Sequence, residues 1–315
     1  MGGRVDNPGA GYRFGLGYPV KLLFNRDVLL DEVLCMVDRD QLFHSEDGSK
    51  KEAQVEQGNI SFRRHVVFQE KYEGEIIIIG DEPHIPYQRP PLSKQYMSGE
   101  QGIERVYLRP EKFYADKANT VKVNTRVEAI DTEARTVTTD AGETISYENL
   151  LIATGGRPRH LNAPGADLEG IHYLRTITDV DGIRDEMVEG NKLVIVGGGY
   201  IGLEVASVAV EAGMTVHVLE MEERILQRVT TPEMSEFYHN LHTSRGVNIH
   251  TSTMVSGFEG DGRVARVVCG DQSFDADTVI VGIGIIPNVE VAEAAGIEVD
   301  NGIVVDDHCR TSVEN

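Results

Sequence analysis

The chain has 315 residues, 40% of them hydrophobic and 33 of them glycine, which suits an α/β protein of about two domains rich in strand-to-helix turns. Its net charge of −21 excludes broad, non-specific nucleic-acid binding; residues 1–70 hold 9 basic and 11 acidic side chains, so −19 of that charge falls on 71–315. No apolar run approaches the roughly 18 residues of a membrane span, MGGRVDNPGAGY has no apolar signal core, and Cys35, Cys269 and Cys309 form no CxxC; a cytoplasmic protein without membrane partners, disulfide framework or redox dithiol is expected.

In chain order, residues 1–70 show little periodicity: 29–43 fits an amphipathic helix and 45–59 reads as a polar loop. EIIIIG, 75–80, predicts a short buried strand with Asp81 and Glu82 at its tip, where a carboxylate can take a ribose. Pro83, Pro86, Pro90 and Pro91 then rule out regular helix or central strand. VKVNTRVEAID and ARTVTTDAGETISYE alternate as antiparallel strands do, turning at Asp140–Ala141–Gly142. NLLIATGGRPR predicts a buried strand stopping at Thr154–Gly155–Gly156, and TDVDGIRDEMV a helix opening at Thr178 or Asp179. A helical stretch at 232–244 and a further run of strands follow the segment 192–220.

That segment, KLVIVGGGYIGLEVASVAVEAGMTVHVLE, carries the chemistry. The strand LVIV runs into Gly197, Gly199 and Gly202 in GxGxxG spacing. Gly197 permits the tight turn, Gly199 lets backbone approach a pyrophosphate, and Gly202 lets the helix pack on the strand. The helix presents its N-terminal N–H groups and positive dipole end to that pyrophosphate. VHVLE places Glu220 18 residues after Gly202, where a carboxylate can hydrogen-bond a ribose 2′-OH and repel a 2′-phosphate, so NADH is expected over NADPH. Arg224 lies near enough to weaken that discrimination. The expected cofactor-contacting set here is Gly197, Gly198, Gly199, Tyr200, Ile201, Gly202 and Glu220.

With EIIIIGDEPHIPYQRPPLSK, LLIATGGRPR, YLRT, LVIVGGGYIGLEVA, GIGIIPN and VDNGIVVD in place, residues 71–315 resemble the flavoprotein ferredoxin reductases of the putidaredoxin-reductase and rubredoxin-reductase type. The resemblance implies an α/β protein with two Rossmann-like dinucleotide-binding domains of the FAD/NAD(P)-dependent pyridine nucleotide reductase fold. Domains of 71–151 (first part of the FAD domain), 152–280 (NAD domain) and 281–315 (returning FAD segment) follow from it. It implies hydride transfer from NADH to FAD, then single electrons to a [2Fe–2S] ferredoxin of an oxygenase system or to rubredoxin. By the same resemblance Asp81 meets the FAD ribose, and Arg89 and Lys94 line the flavin side. Val127 lies by the adenine, Ala153, Thr154, Gly155 and Arg175 hold the cofactor, and Gly282, Ile283 and Gly284 bind cofactor as well. Lys94 and Glu204 form the catalytic pair, Glu204 near the nicotinamide and close enough to meet Lys94 beside the flavin. No metal is implied.

The departures carry expectations too. The family pattern places strand–GxGxxG–helix just before 75–80, whereas EAQVEQGNISFRRHVV contains only Gly58, and Gly9-Ala10-Gly11 stands about 70 residues too early. The expectation is a chain lacking that first strand and the closing segment of the FAD domain, with residues 1–70 unmatched and FAD not held stoichiometrically. The alternative function is then an NAD-binding fragment without catalysis. Glu236, His239 and His242 read as an exposed helix face rather than a metal site, and Arg63–Arg64–His65 as a candidate docking patch.

Overall fold

A computed structural model describes residues 34–37 (backbone only), 75–117 and 119–315. Its centre is a five-stranded, all-parallel sheet. The strands are β9 (Ile171–Tyr173), β10 (Lys192–Val196), β11 (Thr215–Leu219), β12 (Val247–His250) and β16 (Thr278–Val281), in the order β12-β11-β10-β16-β9. Side chains alternate across β10: Leu193 and Ile195 enter one core, Val194 and Val196 the other. Such a sheet needs cover on both faces, which is why its central strands carry unbroken apolar runs, LVIV in β10 and VIV in β16.

On one face lie α3 (Ile177–Glu186) and α4 (Tyr200–Glu211), through Ile177, Val180, Ile183, Val205, Ala206 and Ala209. On the other lies an antiparallel sheet of β13 (Gly257–Asp261), β14 (Arg263–Cys269) and β15 (Gln272–Asp275), through Phe258, Val264 and Val267. The proline-rich elbow joins the first of these cores: Tyr87, Leu92, Tyr96 and Met97 are buried among the residues of α3, α4 and β10. Its prolines give bends and one 3-10 turn, Pro90–Ser93.

The second sheet has the order β3-β2-β1-β7: β1 (Leu34–Val37), β2 (Ile76–Ile79), β3 (Asn119–Lys122) and β7 (Asn149–Leu151). One expectation is corrected here. Leu34–Val37, inside the stretch read as an amphipathic helix, is a strand. A strand also stands beside β2, though not the parallel one of a βαβ unit. Leu34 faces Ile79 and Val37 faces both Ile76 and Asn149, so β1 runs antiparallel to both neighbours. The polar loop at 45–59, Gly9-Ala10-Gly11 and Arg63–Arg64–His65 lie outside the described residues.

β4 (Val127–Asp131), β5 (Thr136–Thr139) and β6 (Thr144–Ser146) form the expected antiparallel meander, with Gly142 at φ +77 in the turn, while Val121 and Lys122 belong to β3. β7 is half-buried and ends at Leu151, earlier than expected, and β8 (Gly156–Pro158) pairs instead with β17 (Ile285–Pro287). α3 opens at Ile177, before the expected Thr178 or Asp179. Thr176 and Asp179 close a capping box there: Asp179 N–H donates to Thr176 Oγ1 at 3.2 Å, and Thr176 N–H to Asp179 Oδ2 at 2.7 Å. α5 is Pro232–Ser244, as the sequence predicts, and its three metal-spaced residues belong to no group able to hold a metal among the described residues. No described helix is long and apolar enough to cross a membrane.

Candidate functional site

In a parallel sheet a ligand crevice opens where strand order reverses, outside the carboxyl ends of the strands. Here that point lies between β10 and β16: from β10 the chain moves through β11 to β12, then returns to β16 on the opposite side. Gly197 follows β10 with φ +110, and a Cβ there would stand 2.4 Å from Gly282 O, so only glycine lets the two strand ends close together. A Cβ on Gly202 would stand 2.4 Å from Gly197 O, which presses α4 against the turn. Gly199 differs. A Cβ there meets nothing within 4 Å, and this residue is the N-cap of a 12-residue helix without a side-chain cap, so first-turn N–H groups face open space fit for a pyrophosphate. Tyr200 and Ile201 are 39% and 49% exposed at the same helix end. Gly282, Ile283 and Gly284 follow β16 on the adjoining edge, Gly284 with φ +112.

Glu220, just past β11, is held by backbone. Gly198 N–H donates to its Oε2 at 2.7 Å and Glu222 N–H to its Oε1 at 2.9 Å, fixing a carboxylate beside the glycine turn. Arg224, expected to weaken the discrimination, is engaged by other partners. Its guanidinium donates to Thr230 O, Gln227 O and Ser235 Oγ, and so is turned into the loop that leads to α5.

The elbow reaches the same crevice. Lys94 Nζ meets Glu204 Oε2 at 2.6 Å, with their side chains 40% and 32% exposed, and Ser93 Oγ donates to the same oxygen at 2.5 Å. Glu204 lies on the first turns of α4, two residues after Gly202, so packing of the 3-10 turn on that helix brings the two together.

Around the second sheet the expected residues divide. Asp81 is exposed at the tip of β2, while Glu82 turns inward. The Arg89 guanidinium is clasped by Glu82 at 2.6 Å, by the Tyr87 hydroxyl at 2.9 Å and by Arg175 O at 2.6 Å. Tyr87 also donates to Glu82, and burial first, then Glu82, pushes its hydroxyl pKa far above the ordinary range against the pull of Arg89. Val127 packs half-buried against the cluster of Ile79, Ile130 and Val137. Ala153 is buried, and Gly155 has φ +60. Thr154 Oγ1 donates to Asn288 O at 2.5 Å, Asn288 Nδ2 to Thr154 O at 2.8 Å, and Asn288 N–H to Gly155 O at 2.9 Å, so the two segments that cross between the sheets are tied to each other.

The family model described as pyridine nucleotide-disulphide oxidoreductase matches residues 64–315. The chain belongs to that family. It is 45% identical over 248 residues to putidaredoxin reductase CamA of Pseudomonas putida, covering 76% of this chain and 59% of the relative. Rubredoxin-NAD(+) reductase of Pseudomonas putida is 39% identical over 243 residues, covering 76% of this chain and 63% of that one. Among solved structures, the covalent putidaredoxin reductase–putidaredoxin complex superposes with a TM-score of 0.75 at 44% identity, covering 77% of this chain and 60% of that one. The chain thus spans about three-fifths of the length of these relatives.

As a member of this family it keeps no dithiol in CxxC spacing; Cys269 is half-buried, its thiol pKa raised by burial, and Cys309 is exposed. Two residues of the site escape sequence reading. Ser93 sits beside the singled-out Lys94, yet nothing in PPLSK distinguishes a bonding hydroxyl from a turn serine. Asn288 ends the GIGIIPN stretch, and its hydrogen bonds to Thr154 and Gly155 reach across a sequence separation of 134 residues.

Proposed function

We propose that the chain is the NADH-binding and hydride-delivering part of a cytoplasmic flavoprotein reductase, passing electrons from NADH through FAD to a [2Fe–2S] ferredoxin. Residues 71–151 and 281–315 form its flavin side and 152–280 its NAD domain. The relatives' names and the covalent complex with putidaredoxin support that acceptor class; the rubredoxin reductases among them support rubredoxin as the second reading. The observation that carries the proposal is the Lys94–Glu204 pair at 2.6 Å, which joins the elbow after β2 to the helix of the glycine turn, where two cofactors would face each other.

The residues fit NADH: uncapped N–H groups at Gly199–Gly202 take the pyrophosphate, and Glu220, already fixed, accepts from the adenosine ribose. At the flavin side Asp81, Lys94, Thr154 and Arg175 fit the margins of FAD; among the described residues no glycine turn leads from the β3-β2-β1-β7 sheet into a helix. When bound, FAD supplies the acceptor of the hydride and the means to release electrons singly. Glu204 orients the nicotinamide carboxamide. Lys94 places positive charge where negative charge develops on the reacting side, and its ion pair keeps it there. Tyr200 and Ile201, exposed at that helix end, would cover part of a bound cofactor and keep water from it. No residue need transfer a proton.

The test is NADH oxidation by the purified chain with FAD added, coupled to a [2Fe–2S] ferredoxin or to rubredoxin, alongside flavin absorbance after gel filtration. Ferredoxin reduction at the faster rate is expected. NADH binding without retained flavin or reduction of either acceptor would leave an NAD-binding fragment without catalysis.

A further inference from the structure

Glu204 is held through one oxygen. Its Oε2 accepts from Lys94 Nζ and from Ser93 Oγ, while Oε1 accepts no hydrogen bond among the described residues. The hydroxyl comes from a rigid place: Ser93 is 5% exposed and closes a turn whose Pro90 and Pro91 have restricted φ, with Leu92 3% exposed beside it.

We infer that Ser93 is a positioning residue for the nicotinamide end of NADH, acting through Glu204; this rests on the proposal that NADH binds at Gly197–Gly202. An ammonium is a point charge with little directional demand, so Lys94 alone leaves the Glu204 carboxylate free to swing about its terminal torsion, which is broad and roughly two-fold. A second donor on the same oxygen removes that freedom. Ser93 pins Oε2, and Oε1 is thereby directed outward as an acceptor for the carboxamide N–H. Lys94 Nζ also lies 3.2 Å from Pro90 O and 3.5 Å from Ser93 Oγ, so ammonium, hydroxyl and carboxylate form one cluster anchored to the turn. A serine needed only to satisfy its own burial would affect folding and nothing selective for the nicotinamide.

Two ligands separate these roles. ADP-ribose shares with NADH the parts held by the glycine turn and Glu220 but lacks the nicotinamide. By calorimetry, Ser93→Ala is expected to weaken NADH about three- to tenfold while leaving ADP-ribose unchanged. In a Glu204→Ala background the same substitution is expected to add nothing, because the residue acts through that carboxylate. Equal weakening of both ligands, unchanged NADH affinity, or the same loss without Glu204 overturns the inference alone. An unmodified chain that binds neither ligand removes the NADH proposal, and the inference with it.

Discussion

Gly198 and Glu220 are joined by a 2.7 Å hydrogen bond from backbone N–H to carboxylate, so the residue that would read the ribose is tied to the turn that would hold the pyrophosphate. A single substitution therefore acts on both. Glu220→Ala is expected to weaken NADH by about 1–2 kcal/mol and to narrow the preference over NADPH. Calorimetry with both nucleotides checks this; equal affinity of the unmodified protein for the two would refute the reading of Glu220.

Lys94→Ala removes the cation at the meeting point of the two sides. On the proposed function, charge that would develop during hydride transfer loses its partner, whereas most contacts to NADH would remain. With flavin loaded, the limiting rate of flavin reduction is expected to fall at least about tenfold, with a smaller change in NADH affinity. Stopped-flow reduction at saturating NADH is the measurement, and an unchanged limiting rate would remove Lys94 from the chemistry.

Glu186, at the end of α3, accepts from Thr278 Oγ1 at 2.8 Å and pairs with Arg263 at 2.6 Å, while His172 Nε2 lies 3.1 Å away without hydrogen-bond geometry. Burial raises its pKa, but these three neighbours outweigh burial and hold the carboxyl below the ordinary 4.5. A depressed folded-state value adds stability above the unfolded-state pKa, and that stability is lost as pH falls through the folded one. Glu186→Ala is expected to cost about 2 kcal/mol at neutral pH, and less below about pH 4, in urea unfolding followed across pH. A pH-independent cost would show that the carboxylate's charge plays no part.

His217 and His250 lie on neighbouring strands with Nδ1 and Nε2 3.0 Å apart, their rings stacked, and Phe274 against both. Burial, then His250, then Lys192 lowers the pKa of His217, and burial lowers that of His250. For a base the sign follows directly: the unfolded chain takes up protons below about pH 6.5 while the folded one resists, so stability falls with acidification. His217→Gln is expected to flatten the stability profile between about pH 5 and pH 7. Thermal unfolding read at several pH values decides it, and an unaltered slope would place the titration elsewhere.

Local pattern determined much of this protein. LVIV, the glycines at 197, 199 and 202 and Glu220 lie within one βαβ unit, where periodicity, turn chemistry and strand length act over few residues, so that unit was legible before any fold. Pro90 and Pro91 likewise marked the elbow. What sequence could not determine were contacts made across distance. Arg224 looked like a partner for a phosphate because it is near Glu220 in the chain, yet Ser235, Gln227 and Thr230 draw it away. Arg89 is placed on the flavin side by the resemblance alone, and its partners Glu82 and Arg175 O could not be read from PYQRPP. Leu34–Val37 has a pattern short enough for helix or strand, and two waiting edges, β2 and β7, made it a strand and set its direction. Side chains with several donors bond wherever packing first presents acceptors, and a residue's neighbours in the chain do not say which acceptors those are. Only the tertiary structure brought Ser93, Lys94 and Glu204, separated by more than a hundred residues, onto one carboxylate oxygen.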